Sequence, residues 1–100
     1  TNQALMVREY VLARENMAKA ISMIPEIQEM AKDSGVNVTM WAPVIADDMK
    51  RVSVVYSAPD MPTLGKSIDE VGMSQEFQEL LVRASKLGTL DRAWGMVNIR

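Results

Sequence analysis

The order of apolar and polar positions predicts four strands and two helical regions. Residues 4–13, 36–45, 51–58 and 92–99 are rich in the branched and aromatic residues that strands favour. Between the first two of these segments, and again between the last two, apolar residues recur every three or four positions, as on one face of a helix. The first helical stripe is Met17, Ala20, Ile21, Ile24, Ile27 and Ala31, and the second is Phe77, Leu80, Leu81, Ala84 and Leu87.

Local signals mark the ends of the helices. Gly35 follows the first stripe at the position of a left-handed cap, and Pro25 inside the stripe predicts a kink or two short stacked helices. Asp60 is suited to begin a helix that ends at Gly72. A further helix is predicted to begin at Ser74 and to end before the last strand.

The connections between the strands complete the topology. Gly88 is predicted to end the last helix, and the polar residues 46–50 join the second and third strands in an antiparallel hairpin. Pro43 cannot donate to a strand ladder, so we expect it at an edge or a bulge. The order β-α-β-β-α-β predicts an α+β ferredoxin-like sandwich with a four-stranded antiparallel sheet, in a single domain over residues 1–100.

Both faces of the predicted sheet are apolar. In the first strand Leu5, Val7 and Val11 lie on one face, and Met6, Tyr10 and Leu12 lie on the other. The second and fourth strands also have apolar residues on both faces. Two helices can cover only one face, and water is a poor solvent for the other. We therefore expect a homodimer that packs sheet against sheet.

Composition removes several classes of function. The 100 residues include 11 basic and 13 acidic ones, a net charge of −2 that does not favour nucleic acid. Histidine and cysteine are absent, which excludes serine–histidine triads, cysteine nucleophiles, zinc sites built from histidine and cysteine, and a histidine-ligated haem. No apolar run is long enough to cross a membrane, and no leader pattern is present. We expect a cytoplasmic protein with no membrane partner, cofactor or metal.

The chain resembles the dimeric α+β barrel superfamily. The resemblance rests on the element order, the helix break at Pro25-Glu26, the run Ser34-Gly35-Val36 before the second strand, and the helix start at 74–77. It is similar to antibiotic-biosynthesis monooxygenase-like and stress-responsive barrel domains, and it matches no specific family. The resemblance implies a sheet-to-sheet dimer. It also implies, as one possibility, cofactor-independent chemistry on an aromatic substrate.

Catalytic residues are not identified by any motif. Glu9 and Glu70 are the only carboxylates that we consider as general bases, and Asp47-Asp48 is better explained as a solvated turn than as a cation site. The serines have no histidine to activate them. Binding is therefore favoured over catalysis.

The nine methionines and the helix breaks suggest an apolar space between helices and sheet. Arg8, which lies among apolar residues, pairs either with a carboxylate of the protein or with an acidic ligand. Two functions stay open: binding of a hydrophobic or amphipathic small molecule, fatty-acid-like or aromatic, and a cofactor-independent monooxygenase or isomerase acting on it. The predicted ligand-binding residues are Arg8, Tyr10, Met17, Ile21, Ile24, Trp41, Tyr56, Phe77, Leu81, Arg92 and Trp94.

Overall fold

The computed structural model describes residues 3–43 and 50–99. Within them the strands and helices alternate in the predicted order β-α-β-β-α-β, with the second helical region divided in two. The elements are β1 (Ala4–Leu12), a 3₁₀ turn (Arg14–Asn16), α1 (Met17–Ala31), β2 (Asn37–Trp41), β3 (Arg51–Ala58), α2 (Met61–Ser67), a π-helical turn (Ile68–Gly72), α3 (Gln75–Ser85) and β4 (Gly88–Val97).

The described strands form one antiparallel sheet in the order β2-β3-β1-β4. This is the topology of the predicted ferredoxin-like sandwich. Arg8 lies at the centre of the sheet, opposite Val54 of β3 and Ala93 of β4. Because side chains alternate along a strand, the even-numbered residues of β1 face the helices, and the odd-numbered ones face away from them. We call the second surface the open face.

Helix α1 is a single helix that continues through Pro25. The prediction of two short stacked helices is therefore wrong. Its buried residues are Met23, Ile27 and Ala31, whereas Ile21 of the predicted stripe is 55% exposed. The helix covers the sheet with a face that is rotated from the one that the spacing indicated. Gly35 has φ of 81°, which confirms the predicted left-handed residue after this helix.

The predicted caps of the second helical region are confirmed. The Asp60 carboxylate accepts a hydrogen bond from the Thr63 backbone N–H at 2.8 Å, and the Ser74 hydroxyl accepts one from the Phe77 N–H at 3.2 Å. Between these two starts the backbone widens into the π-helical turn, which ends at Gly72 as predicted. The second stripe packs on the sheet, with Leu80 only 1% exposed.

Several strand boundaries differ from the predicted ones. Helix α3 ends at Ser85 rather than at Gly88, and β4 begins at Gly88 rather than at residue 92 and ends at Val97. A Cβ on residue 88 would lie 2.3 Å from Leu12 Cδ2, so a glycine is what lets β4 approach β1 this closely. Strand β1 ends one residue early. Strand β2 ends at Trp41, and Pro43 lies beyond it. Of the predicted turn over residues 46–50, the structure describes only residue 50, so Asp47 and Asp48 lie outside the described residues.

The core lies between the helices and the sheet. It joins residues of β1, β2 and β3 with residues of the helices, among them Val38, Val54, Tyr56, Phe77 and Leu80. None of the helices in residues 3–43 and 50–99 combines the length and the hydropathy that a membrane span requires.

Candidate functional site

The layer between helices and sheet is incompletely filled. Three adjoining compartments lie in it: an inner one of about 210 Å³ under the π-helical turn, an outer one of about 290 Å³ beside the end of α3, and a narrow one of about 50 Å³ under α1. Leu81 borders all three. The inner compartment is also lined by Met6, Arg8, Tyr56, Leu64, Ser67, Ile68, Val71, Met73, Phe77 and Gln78. The outer compartment is also lined by Arg8, Tyr10, Ala84, Ser85 and Leu90. The narrow compartment is also lined by Tyr10, Met23, Ile24, Val52, Tyr56 and Leu80.

Arg8 lies on the boundary between the inner and outer compartments. It is half-buried because it projects from the middle of β1 toward the helices. Its Nε donates a hydrogen bond to the Tyr10 hydroxyl at 3.0 Å, and its guanidinium carbon is 6.0 Å from the centre of the Tyr10 ring. Among the described residues no carboxylate lies within 4 Å of this guanidinium. The positive charge is therefore held at an apolar cavity without an ion pair in the described part of the chain.

Tyr56 is the second polar group of the site. It is 7% exposed and borders both the inner and the narrow compartments. Its hydroxyl makes no hydrogen bond within residues 3–43 and 50–99. In the same ranges, every side-chain nitrogen or oxygen atom that is completely buried has a hydrogen-bond partner, so the Tyr56 hydroxyl is not completely buried. The hydroxyl therefore opens onto the cavity. Burial raises the pKa of the Tyr56 phenol, electrostatic repulsion from the phenol group of Tyr10 adds to the increase, and the Arg8 charge opposes it, so the hydroxyl is neutral at physiological pH.

Carboxylates are absent from the described lining of all three compartments. Glu9, considered from the sequence as a base, lies on the open face, where Arg51 binds it at 3.1 Å and Arg92 at 3.4 Å. Glu70, the other candidate, is exposed on the π-helical turn, 3.9 Å from Lys66. Neither carboxylate can act as a general base on a molecule inside the layer.

The remaining predicted site residues are divided between two other surfaces. Met17 and Ile21 line a groove of about 660 Å³ between α1 and the sheet, which Leu12, Ile24 and Met40 also border. Trp41, Arg92 and Trp94 lie on the open face, on the opposite side of the sheet from the compartments. The structure therefore brings together Arg8, Tyr10, Ile24, Tyr56, Phe77 and Leu81 around the compartments. It places Met17 and Ile21 in the neighbouring groove that Ile24 shares, and Trp41, Arg92 and Trp94 on the opposite side of the sheet.

The open face combines apolar and charged groups. Trp41 is 64% exposed and Met96 is 48% exposed, and Val7 at the centre of the face is buried beside its cross-strand neighbour Trp94. The Arg92 guanidinium stacks on the Trp94 ring, with 4.8 Å from its carbon to the ring centre. The same face carries the pairs that Arg51 makes with Glu9 and Asp91.

The π-helical turn contributes residues that the sequence reasoning did not assign to the site. Ile68, Val71 and the adjacent Leu64 line the inner compartment. Their spacing of i, i+4 and i+7 is that of one face of an α-helix, so the periodicity of the sequence could have identified them. The two predicted stripes did not include this segment. No group of three or more acidic side chains that could hold a metal ion is found in the described ranges.

Structure comparison places the chain among known folds. A cofactor-independent oxygenase from Streptomyces nogalater superposes with a TM-score of 0.73 and 11% identity, over 100% of this chain and 96% of that one. A putative antibiotic biosynthesis monooxygenase from Deinococcus radiodurans gives 0.73 and 6%, over 97% and 93% of the two chains. A NIPSNAP family protein from Agrobacterium tumefaciens gives 0.73 and 15%, over 96% and 85%.

The chain has their fold. The fold that the resemblance implied is therefore confirmed, and monooxygenase-like proteins are among the structures that share it. No family model matches the chain, and no curated protein is significantly similar to it in sequence.

Proposed function

We propose that the protein binds a hydrophobic or amphipathic carboxylic acid in the layer between the sheet and the helices. The observation that carries this proposal is the Arg8 guanidinium, half-buried at an apolar cavity and without a carboxylate partner among the described residues. A charge in such surroundings is costly unless an opposite charge compensates it. The acid group of a ligand would supply that charge.

The chemistry of the neighbouring groups suits a carboxylate. Tyr10 accepts the Nε hydrogen of Arg8, and no described residue accepts a hydrogen bond from its terminal nitrogens. A planar guanidinium can offer two parallel N–H donors to the two oxygens of a carboxylate. The Tyr56 hydroxyl, neutral because burial raises its pKa, is a further donor beside the same cavity.

Binding is favoured over catalysis by the lining itself. The alternative, a cofactor-independent monooxygenase or isomerase, is supported by the fold that the chain shares with an oxygenase. Proton abstraction from a substrate needs a base within hydrogen-bond reach, and the described lining contains no carboxylate. Oxygen uptake on addition of polyphenols would favour the alternative.

We also propose that two copies of the chain pack together through their open faces. The exposed Trp41 and Met96 leave apolar surface uncovered on the side of the sheet that no described helix reaches. A second sheet would bury this surface, and stable dimers of this kind bury roughly 2000 Å² or more in total. The ligand layer lies on the other side of the sheet, so each copy would hold its own ligand.

Calorimetric titration with octanoate tests the binding proposal, with octanol as a neutral ligand of the same length. We expect octanoate to bind more tightly, and Arg8→Met to weaken its binding about tenfold or more, since hydrogen bonds to charged groups contribute about 1.5–3 kcal/mol. Arg83→Met is the matched control, because Arg83 pairs with Glu26 on the helix surface and lines none of the compartments. Equal binding of octanoate by the unaltered protein and Arg8→Met, or no binding at all, would contradict the proposal.

A further inference from the structure

We infer that the ligand is an unbranched aliphatic carboxylate whose tail occupies the inner compartment under the π-helical turn. This inference rests on the proposed function and makes it more specific, because it assigns the two ends of the ligand to two places and selects one chemical class. The acid group would lie at Arg8 and Tyr56, and the tail would extend away from them toward Val71 and Phe77.

The polar groups of the inner compartment determine the orientation. Ser67 donates its hydroxyl hydrogen to the Ser34 hydroxyl at 2.9 Å, and Gln78 donates its amide hydrogen to the Gly72 carbonyl at 2.7 Å. Gln78 is exposed and keeps one amide hydrogen, so the half-buried or buried donors left to bind a ligand in the described lining are the Arg8 terminal nitrogens and the Tyr56 hydroxyl, which lie on β1 and β3. The register places Tyr56 opposite Met6, two residues from Arg8 on the same face of the sheet.

The rest of this lining is apolar, and most of it is aliphatic or thioether. Met6 and Val71 are typical of it, Met73 lies at its exposed edge, and among the described lining residues Phe77 contributes the only ring apart from Tyr56. Methionine side chains adapt to flexible apolar groups, whereas a flat aromatic ligand gains most from ring partners at offset or edge-on geometry. The composition thus favours an alkyl tail over an aromatic one.

The π-helical turn is what makes room for the tail. Its hydrogen bonds span five residues instead of four, so its backbone is wider than the α-helices on either side. The turn is held at its end by Ser74, whose N–H and hydroxyl both donate to the Val71 carbonyl, at 3.0 and 2.6 Å. Gln78 holds the next carbonyl in the same way. These bonds keep the roof of the compartment in place independently of a ligand.

The outer compartment gives the ligand a way in. It begins at Arg8 and Tyr10 and runs between the end of α3 and β4, past Ser85 and Thr89 to the surface. Arg8 belongs to the lining of both compartments, so a carboxylate held there has its tail in the inner one and its solvated side toward the outer one. A ligand with one charged end fits this arrangement.

A series of linear carboxylates from butanoate to dodecanoate, titrated against the unaltered protein, tests the inference. We expect affinity to rise about fourfold for each added methylene, the factor that corresponds to about 0.8 kcal/mol of burial, until the compartment is full. Heptanoate should bind more tightly than benzoate, which has the same number of carbons. If octanoate binds but tail length has no effect, or if benzoate binds as well as heptanoate, the inference is wrong and the proposed function stands. If no carboxylate binds, both fail.

A cavity-filling variant locates the tail. Val71→Phe should make the affinity series level off at a shorter tail, whereas Val82→Phe should leave the series unchanged, because Val82 is 60% exposed on α3 and lines none of the compartments. Circular dichroism establishes that both variants are folded. An unchanged series in folded Val71→Phe would overturn the placement of the tail. Should that variant not fold, the series on the unaltered protein still decides between an alkyl and an aromatic ligand.

Discussion

Arg8 and Tyr10 are two residues apart on β1, on the side of the sheet that faces the helices, and the Arg8 Nε donates a hydrogen bond to the Tyr10 hydroxyl at 3.0 Å. This bond restrains the guanidinium along the strand without using its terminal nitrogens. A binding group that is already held in place loses less conformational entropy when the ligand arrives. The pair therefore prepares the cation for an acid group while leaving its charge uncompensated.

The buried Tyr56 phenol should give stability a distinct dependence on alkaline pH. Burial raises its pKa in the folded state above the value of about 10 that it has in the unfolded chain. The folded state therefore favours the neutral form. This stabilisation is complete below about pH 10 and is lost as pH rises through the raised folded-state pKa. Urea unfolding of the unaltered protein and of Tyr56→Phe, compared from about pH 8 to about pH 11, measures it. The same decline in both proteins would contradict the expectation.

Two adjacent leucines of α3 should differ in their contribution to stability. Leu80 is 1% exposed in the core, so Leu80→Ala should lower the free energy of unfolding by about 2–5 kcal/mol. Leu81 is half-buried and borders the compartments, so its removal enlarges a space that already exists. We expect Leu81→Ala to cost less than Leu80→Ala in chemical unfolding. A larger loss for Leu81→Ala would mean that α3 packs with a different face.

Alanine substitutions at two glycines should have opposite effects. A Cβ at Gly65 of α2 has nothing within 4 Å, so Gly65→Ala should stabilise the protein by about 0.5–1 kcal/mol through helix propensity. A Cβ at Gly88 would lie 2.6 Å from the Val11 carbonyl oxygen, and the backbone must shift to accept it. Gly88→Ala should therefore destabilise the protein by about 1–3 kcal/mol. Thermal unfolding of the two variants shows whether the signs differ.

Sedimentation equilibrium at micromolar concentration tests the proposed dimer. We expect a species of twice the 11.1 kDa chain mass for the unaltered protein. Met96→Glu introduces a charge on the open face and should give the monomer, because an unpaired carboxylate in an apolar interface is costly. Val82→Glu, at an exposed position on the helix side, is the control and should leave the dimer intact. A monomer of the unaltered protein would refute the proposed assembly.

The sequence by itself determined the features that depend on neighbouring residues. Asp60 and Ser74 cap helices because a side-chain oxygen can reach a backbone N–H three residues ahead, whatever the rest of the fold does. Gly35 adopts a positive φ for a similarly local reason. The alternation along the strands divided their residues correctly into two sets, since the period of two is a property of the extended backbone.

Only the tertiary structure decided which of the two sets faces the helices. Alternation along a strand is the same for both faces of a sheet. Because the residues on both faces are apolar, the sequence did not indicate which face the helices cover. Packing placed Arg8 and Tyr56 at the cavity, and Trp41 and Trp94 on the opposite side. The early start of β4 also depended on a distant contact, the close approach of Gly88 to Leu12, which local propensity cannot register. The candidate site was therefore only partly predictable, because it is assembled by long-range packing between strands and helices that are far apart in sequence.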